Sequence, residues 1–204
     1  MTAAGTDAPT RGRPRDAARD LRITQAALDV LADSGIAGFT IEAVAHRAGV
    51  GKATIYRRYS GRDDLLAAAL DHLRDDTPLV LTQGSARERL AAALDFIRTP
   101  MTHTRGGRVM AQVISAGAQH PDFLAVFYDR VLGPRRQILI GILREGVAEG
   151  WVDPDADLDA AVTLLVGPMI FLKVWHGTPV ATVSTDEIVT LALRGAGVSR
   201  ASGS

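Results

Sequence analysis

The segment that most limits the fold is residues 38–59, GFTIEAVAHRAGVGKATIYRRY. Thr40 is suited to N-cap a short helix over Ile41 to Ala48. Phe39 before the cap and Val44 inside the helix are spaced as a hydrophobic staple, which sets the angle at which the chain enters. Gly49 closes that helix, Val50 is an apolar pin within the turn, and a further short helix runs from about Lys52 to Tyr59. Upstream, Ile23, Ala26, Ala27, Val30 and Leu31 fall at i, i+3, i+4, i+7 and i+8, the apolar stripe of an amphipathic helix. It ends at Asp33-Ser34-Gly35, where the glycine suits a left-handed cap. Helices as short as 52–59 are marginal in water, so neighbours must hold them. Two short helices across a glycine turn, buttressed by a longer one, make a helix-turn-helix.

The remainder is helical in pattern as well. Asp63 and Asp64 complement the first turn of a helix whose apolar face is Leu65, Leu66, Ala69, Leu70 and Leu73. The stretch DDTPLVLTQGS, residues 75–85, reads as a boundary. Beyond it the spacing predicts helices at about 85–99, 105–118, 122–149, 155–176 and 184–195. Gly133-Pro134 and Gly167-Pro168 are expected to kink or split the two helices that hold them. No strand-like alternation and no internal repeat is present, so the fold class is all-α.

Composition narrows the function. The 204 residues carry no cysteine, which excludes a disulfide framework or a thiolate metal site and suits a reducing interior. No apolar run is long enough for a membrane span and the N-terminus lacks a secretory pattern, so a cytoplasmic protein without a membrane partner is expected. The 23 basic and 23 acidic residues balance overall but not locally. Residues 1–62 carry a surplus of four positive charges and the rest a matching deficit, as in two regions with different partners.

At 100° per residue, Ile55 and Tyr59 point to one side of the second short helix. Ala53, Thr54 and Arg57 point away from them, with Tyr56 and Arg58 on the flanks and Lys52 at the start. That outward face is small, hydrogen-bonding and cationic, of a width that a major groove admits. A solvated helix face would account for the cations alone, though not for cap, staple and glycine turn together. Arg57 is suited to pair with a guanine edge, and Thr40, Lys52, Thr54 and Tyr56 with phosphate oxygens.

The stretch FTIEAVAHRAGVGKATIYRRYSGRDDLLAAAL resembles the DNA-binding domain of the tetracycline-repressor (TetR) family of bacterial regulators over about residues 20–70. The resemblance implies a DNA-contacting set of Thr40, Lys52, Thr54, Tyr56, Arg57 and Arg58, to which Ala53 and Arg62 on the same segment are added. The family often has Ser where Gly51 stands, His at Arg58 and Phe at Tyr59. The upstream RGRPR is either a solvated tail or a basic arm whose Arg11, Arg13 and Arg15 enter a minor groove. The resemblance further implies an N-terminal three-helix helix-turn-helix domain joined by a linker helix to a larger helical ligand-binding and dimerisation domain. The boundaries expected are a flexible basic arm at 1–17, a DNA-binding domain at 18–64 and an effector-binding and dimerisation domain at 65–204.

In that family the last two long helices pair two protomers, which makes Leu164, Leu165, Met169, Leu172 and Ile188 the interface candidates. An ordinary monomer core would use the same residues. The pocket candidates are Phe96, Met110, Phe127, Trp151 and Trp175, with Gln112 and Tyr128 as polar groups, for an effector that is largely apolar. No cofactor and no metal is expected. The run DPDADLD, residues 153–159, starts like a calcium loop but has Leu158 and Leu164 where glycine and glutamate are needed. Its acids read instead as a helix start. The expectation is therefore a non-enzymatic, dimeric, ligand-responsive repressor bound to a double-stranded, near-palindromic operator. A helical enzyme with a basic front, a sequence-neutral DNA binder and an activator are the rivals.

Overall fold

The computed structural model describes residues 14–76, 83–98, 104–174 and 183–196, and all of their regular structure is helical. The order is α1 (Pro14–Gly38), α2 (Ile41–Ala48), α3 (Lys52–Tyr56), α4 (Arg62–Asp76), α5 (Ala86–Arg98), α6 (Arg105–Ala116) and α7 (Pro121–Phe127). A π turn over Tyr128–Leu132 leads into α8 (Gly133–Ala148), followed by α9 (Leu158–Val174) and α10 (Thr185–Ala196).

Local chemistry explains the helix starts. Ser85 and Glu88 form a reciprocal capping box ahead of α5, backbone N–H of Ser85 to Glu88 Oε2 at 2.8 Å and N–H of Glu88 to Ser85 Oγ at 3.3 Å. Ser184 and Glu187 repeat it ahead of α10, at 2.8 and 3.2 Å. Hydrogen bonds from the serines hold both glutamates below the usual carboxylate range. Thr104 caps α6 by accepting from the Gly107 N–H at 2.9 Å. Asp157, the last acid before α9, accepts from Ala160 N–H at 3.0 Å, so the aspartate run does start a helix.

Burial separates two cores. One joins α1–α4 to α6, α7 and the π turn; its largest members include Phe39, Ile23, Leu28, Leu65, Leu70 and Phe127. The other lies among α5, α8, α9 and α10, around Leu90, Leu94, Leu139, Leu143 and Leu165. The first core thus reaches past residue 64 and takes Val109 and Val113 of α6 into the support of the front helices.

Of the two expected breaks, the one at Gly133-Pro134 takes the form of a π turn between α7 and α8, and the one at Gly167-Pro168 does not split its helix. Gly133 is helical (φ −57°, ψ −52°), and its N–H bonds back to Tyr128 O, five residues earlier. The wider turn changes the hydrogen-bond register just where Pro134 has no donor, so the helix continues. Helix α9 also runs unbroken through Pro168. Gly167 and Pro168 are exposed, which leaves the carbonyl robbed of its partner on the open side of the helix. Among the described residues, no helix is long and apolar enough to cross a membrane.

Candidate DNA interface and effector cavity

The front helices form as their caps dictate. Thr40 is extended (φ −128°, ψ 156°), and its hydroxyl oxygen accepts from the Ala43 N–H at 3.1 Å. Phe39 and Val44, the staple pair, are both fully buried in one core. Gly49 takes a left-handed conformation (φ 63°, ψ 41°). The N–H of Gly49 reaches His46 O at 3.2 Å and that of Val50 reaches Ala45 O at 3.0 Å. This six-to-one and five-to-two pair is a Schellman motif, whose left-handed residue favours glycine. Gly51, the N-cap of α3, offers no side-chain bond.

Regular α3 ends at Tyr56, but helical hydrogen bonds continue: Arg57 N–H to Ala53 O at 3.2 Å and Tyr59 N–H to Ile55 O at 2.9 Å. Ile55 is fully buried while Tyr56 is 56% exposed. Lys52, Ala53 and Arg57 are exposed, Thr54 and Tyr59 half-buried. The helix therefore stands on Ile55 and Tyr59 and turns Lys52, Ala53, Thr54, Tyr56 and Arg57 outward. Lys52 Nζ lies 2.9 Å from Glu42 Oε1 on α2. That pairing holds the Glu42 carboxyl below its ordinary range and the Lys52 ammonium above its own.

Two expected contacts point elsewhere. The Arg58 side chain is only 13% exposed and is paired with Asp20 on α1. Arg62 donates from Nε to Phe39 O and from Nη2 to Ile36 O, both at 2.8 Å, with its guanidinium 5.9 Å from the Phe39 ring centre. Both arginines thus clamp the front helices together. Helical projection places side chains by angle and takes no account of an acid waiting on α1 or of open carbonyls past Gly35. Arg11 and Arg13 lie outside the described residues, and Arg15 falls in the first turn of α1.

A cavity of roughly 180 Å³ opens among α5, α6, the π turn, α8 and α9. Of the expected residues it gathers Phe96, Met110 and Tyr128. Gln112 faces away, donating from Nε2 to Ala32 O on α1 at 3.2 Å. Phe127 belongs to the first core, 6.3 Å from Phe123 between ring centres. Trp151 packs so tightly over Gly146 that a Cβ there would come within 2.5 Å of its ring, and its Nε1–H donates to Glu149 Oε2 at 2.8 Å. Trp175 lies outside the described residues. Sequence reasoning missed Arg135 and Arg136 in the cavity wall. The available signal was a cation at 135 interrupting the apolar stripe of Leu132 and Leu139, at i+3 and i+7. A second, mainly apolar chamber of about 360 Å³, open to solvent beside the exposed Ile114 and Leu124, shares Met110, Leu132, Val166 and Ile170 with the first.

Of the interface candidates, Leu165, Met169, Leu172 and Ile188 are buried in the protomer's own core, whereas Leu164 is 47% exposed. Helix α9 carries two apolar stripes, and excess apolarity does not say which faces inward. The outward one runs Leu164, Gly167-Pro168, Phe171; on α10, Leu191 is 66% exposed.

Comparisons with known proteins agree with these two halves. Residues 23–69 match the family described as "Bacterial regulatory proteins, tetR family", and residues 80–192 match "Tetracyclin repressor-like, C-terminal domain". The uncharacterised HTH-type transcriptional regulator YdeS of Bacillus subtilis is 30% identical over 190 residues, which cover 91% of this chain and 93% of that one. The crystal structure of the TetR family transcription regulator SCO0332 superposes with a TM-score of 0.61 at 27% identity, covering 85% of this chain and 94% of the other. A protein from Saccharomonospora viridis, described as a transcriptional regulator and solved in complex with choline, gives 0.61 at 26% identity, covering 87% and 94%.

Proposed function

The chain belongs to the TetR family of bacterial transcriptional regulators and is a DNA-binding regulator, and from that premise we propose that it acts as a ligand-responsive repressor, holding a near-palindromic operator as a homodimer in the cytoplasm. The observation that carries this reading is the stance of α3, with Ile55 fully buried and Lys52, Ala53, Tyr56 and Arg57 presented outward. Arg57 reads a base edge; Lys52, Thr54, Tyr56 and the Thr40 hydroxyl hold phosphates and set the register. Arg58 and Arg62 serve from behind, as braces. No catalytic step belongs to this reading.

Dimerisation uses the outward stripe of α9 with α10, Leu164, Phe171 and Leu191, in place of the buried leucines. Two α3 helices then enter successive major grooves about 34–36 Å apart. The paired chambers take the effector, which shifts the dimer only by its preference for one separation of the reading heads. That a similar regulator was solved with choline supports a small-molecule effector as such, not choline for this chain.

The test is a gel shift on the promoter beside the chain's own gene, comparing the wild type with the pair Tyr56→Ala, Arg57→Ala. Retardation by the wild type and at least about tenfold weaker binding by the variant is expected. Equal retardation by both, or none by either at low salt, contradicts it.

A further inference from the structure

The π turn faces two ways. Val131, inside it, is fully buried in a core shared with Leu66, Leu70 and Leu73 of α4, and α4 packs directly on the turn. Arg130, next to it, donates from Nη1 to Asp71 Oδ2 of α4 at 2.8 Å, and Asp71 also accepts from Arg74 Nη1 at 3.2 Å. Tyr128 and Leu132, at the two ends of the turn, line the smaller cavity, and Leu132 lines the second chamber too. One turn of chain is thus cavity wall and α4 support at once.

Helix α4 is the beam under the reading head. Arg62 in its first turn ties down the carbonyls of Ile36 and Phe39, and Leu65 and Leu66 share a core with Ile55, on which α3 stands. A change in how α4 is held therefore changes how α3 is presented. The turn that holds it has two hydrogen-bonded forms within reach. The Gly133 N–H bonds Tyr128 O; in an ordinary α turn its acceptor is Asp129 O, one residue later. That exchange moves the preceding residues by one register step, roughly 100° about the axis. Pro134 has no N–H, so the wide turn cannot migrate into α8 instead. A segment with two discrete arrangements, which both sites can bias, is what coupling requires.

We propose that the π turn is the relay between the cavity and the reading head. In its wide form it presents Arg130 and Val131 to α4 and holds the stance that grips DNA. A guest in the cavity presses on Tyr128 and Leu132, favours the tighter turn and draws Arg130 from Asp71. Helix α4 then loses its brace and the reading heads change separation. Arg130 is a positioning residue and touches neither DNA nor guest. The proposal rests on the ligand-responsive reading above and adds to it the element through which the response travels.

The relay can be pressed from within, without a ligand. A Cβ at Gly133 would lie 3.2 Å from Tyr128 O, the acceptor of the wide turn's own bond. Fluorescence anisotropy on the promoter duplex of the gel shift compares full-length wild type, Gly133→Ala, Arg130→Gln, their combination, and Arg130→Lys. Gly133→Ala and Arg130→Gln are each expected to weaken DNA binding about three- to fivefold, the scale of one hydrogen bond or partly exposed ion pair. The combination is expected to bind no worse than the weaker of the two, because both act through one tie. Arg130→Lys can keep a single-pronged contact and is expected to stay within about twofold of the wild type. Multiplied losses in the combination, or unchanged DNA binding by Gly133→Ala, overturn the relay and leave the ligand-responsive reading standing. No binding by the wild type overturns that reading together with the relay. Should circular dichroism show that Gly133→Ala fails to fold, Leu132→Trp presses on the turn from the cavity side, and the same outcomes decide.

Discussion

Gln112, on α6, donates from its side-chain amide to the carbonyl oxygen of Ala32 on α1, 3.2 Å away. That carbonyl belongs to the last turn before Gly35 leaves the helical conformation, a region where carbonyls lack helical donors and look for others. Two residues earlier on α6, Met110 lines both chambers. Residues two apart on a helix point roughly opposite ways. Helix α6 therefore has the cavity lined by Met110 on one side and the rear of the front helices on the other, and Arg105 adds a second tie to Asp29 of α1 at 2.8 Å.

Gln112→Ala is accordingly expected to uncouple the two sites. DNA affinity without ligand stays within about twofold, while ligand-driven release weakens roughly five- to tenfold, the scale of one partly buried hydrogen bond. Anisotropy titrations with and without ligand measure both. A large loss of DNA binding with coupling intact contradicts the role given to α6.

Gly35→Ala is expected to destabilise the protein by about 1–3 kcal/mol. Gly35 sits at φ 65°, ψ −171°, a conformation almost confined to glycine, and an added Cβ would lie 2.7 Å from Gln112 Oε1. The side-chain oxygen can swing away, so the backbone term dominates, and the swing also costs the bond to Ala32. Urea denaturation reads the loss.

Glu42→Gln is expected to tighten DNA binding about two- to fivefold, because the Lys52 ammonium no longer has to leave a carboxylate before meeting a phosphate. The sign with pH follows from the same pair. The Glu42 carboxyl is held below its usual range by Lys52, so the pairing is present at neutral pH and is lost only as pH falls through that lowered value. Affinities of the two proteins should therefore converge on acidification, which anisotropy at several pH values checks.

Leu191→Glu combined with Leu164→Glu is expected to convert the dimer to monomer and to weaken operator binding at least about a hundredfold. Both side chains are exposed in the protomer, so folding is retained and circular dichroism stays unchanged. Light scattering during gel filtration gives the mass. A dimer that persists places the interface elsewhere.

What the sequence makes legible is whatever is local. The Thr40 cap, the Phe39–Val44 staple and the Gly49 turn depend on neighbours a few residues away, and each forms as the residues demand. Arg58 and Arg62 read from the sequence as part of the DNA face because their partners in the fold, Asp20 and the carbonyls of Ile36 and Phe39, are 23 to 38 residues distant. The stripes of α9 were ambiguous for a related reason. Both are apolar, and only packing against α5, α8 and α10 decides that Leu165 and Met169 go inside and Leu164 out. Gly133-Pro134 marks the site of the π turn but not its kind, and it is the wider turn that sets the face on which Tyr128, Leu132, Arg135 and Leu139 meet.

Selection of bound duplexes from a random pool by the full-length protein tests the outward stance of α3 most directly. The enriched set is expected to be a near-palindrome with half-sites about one helical turn, or a multiple of it, apart, and Arg57→Ala should lose preference at one symmetric pair of base positions. A pool that stays random, or a preferred site unchanged by Arg57→Ala, contradicts the account.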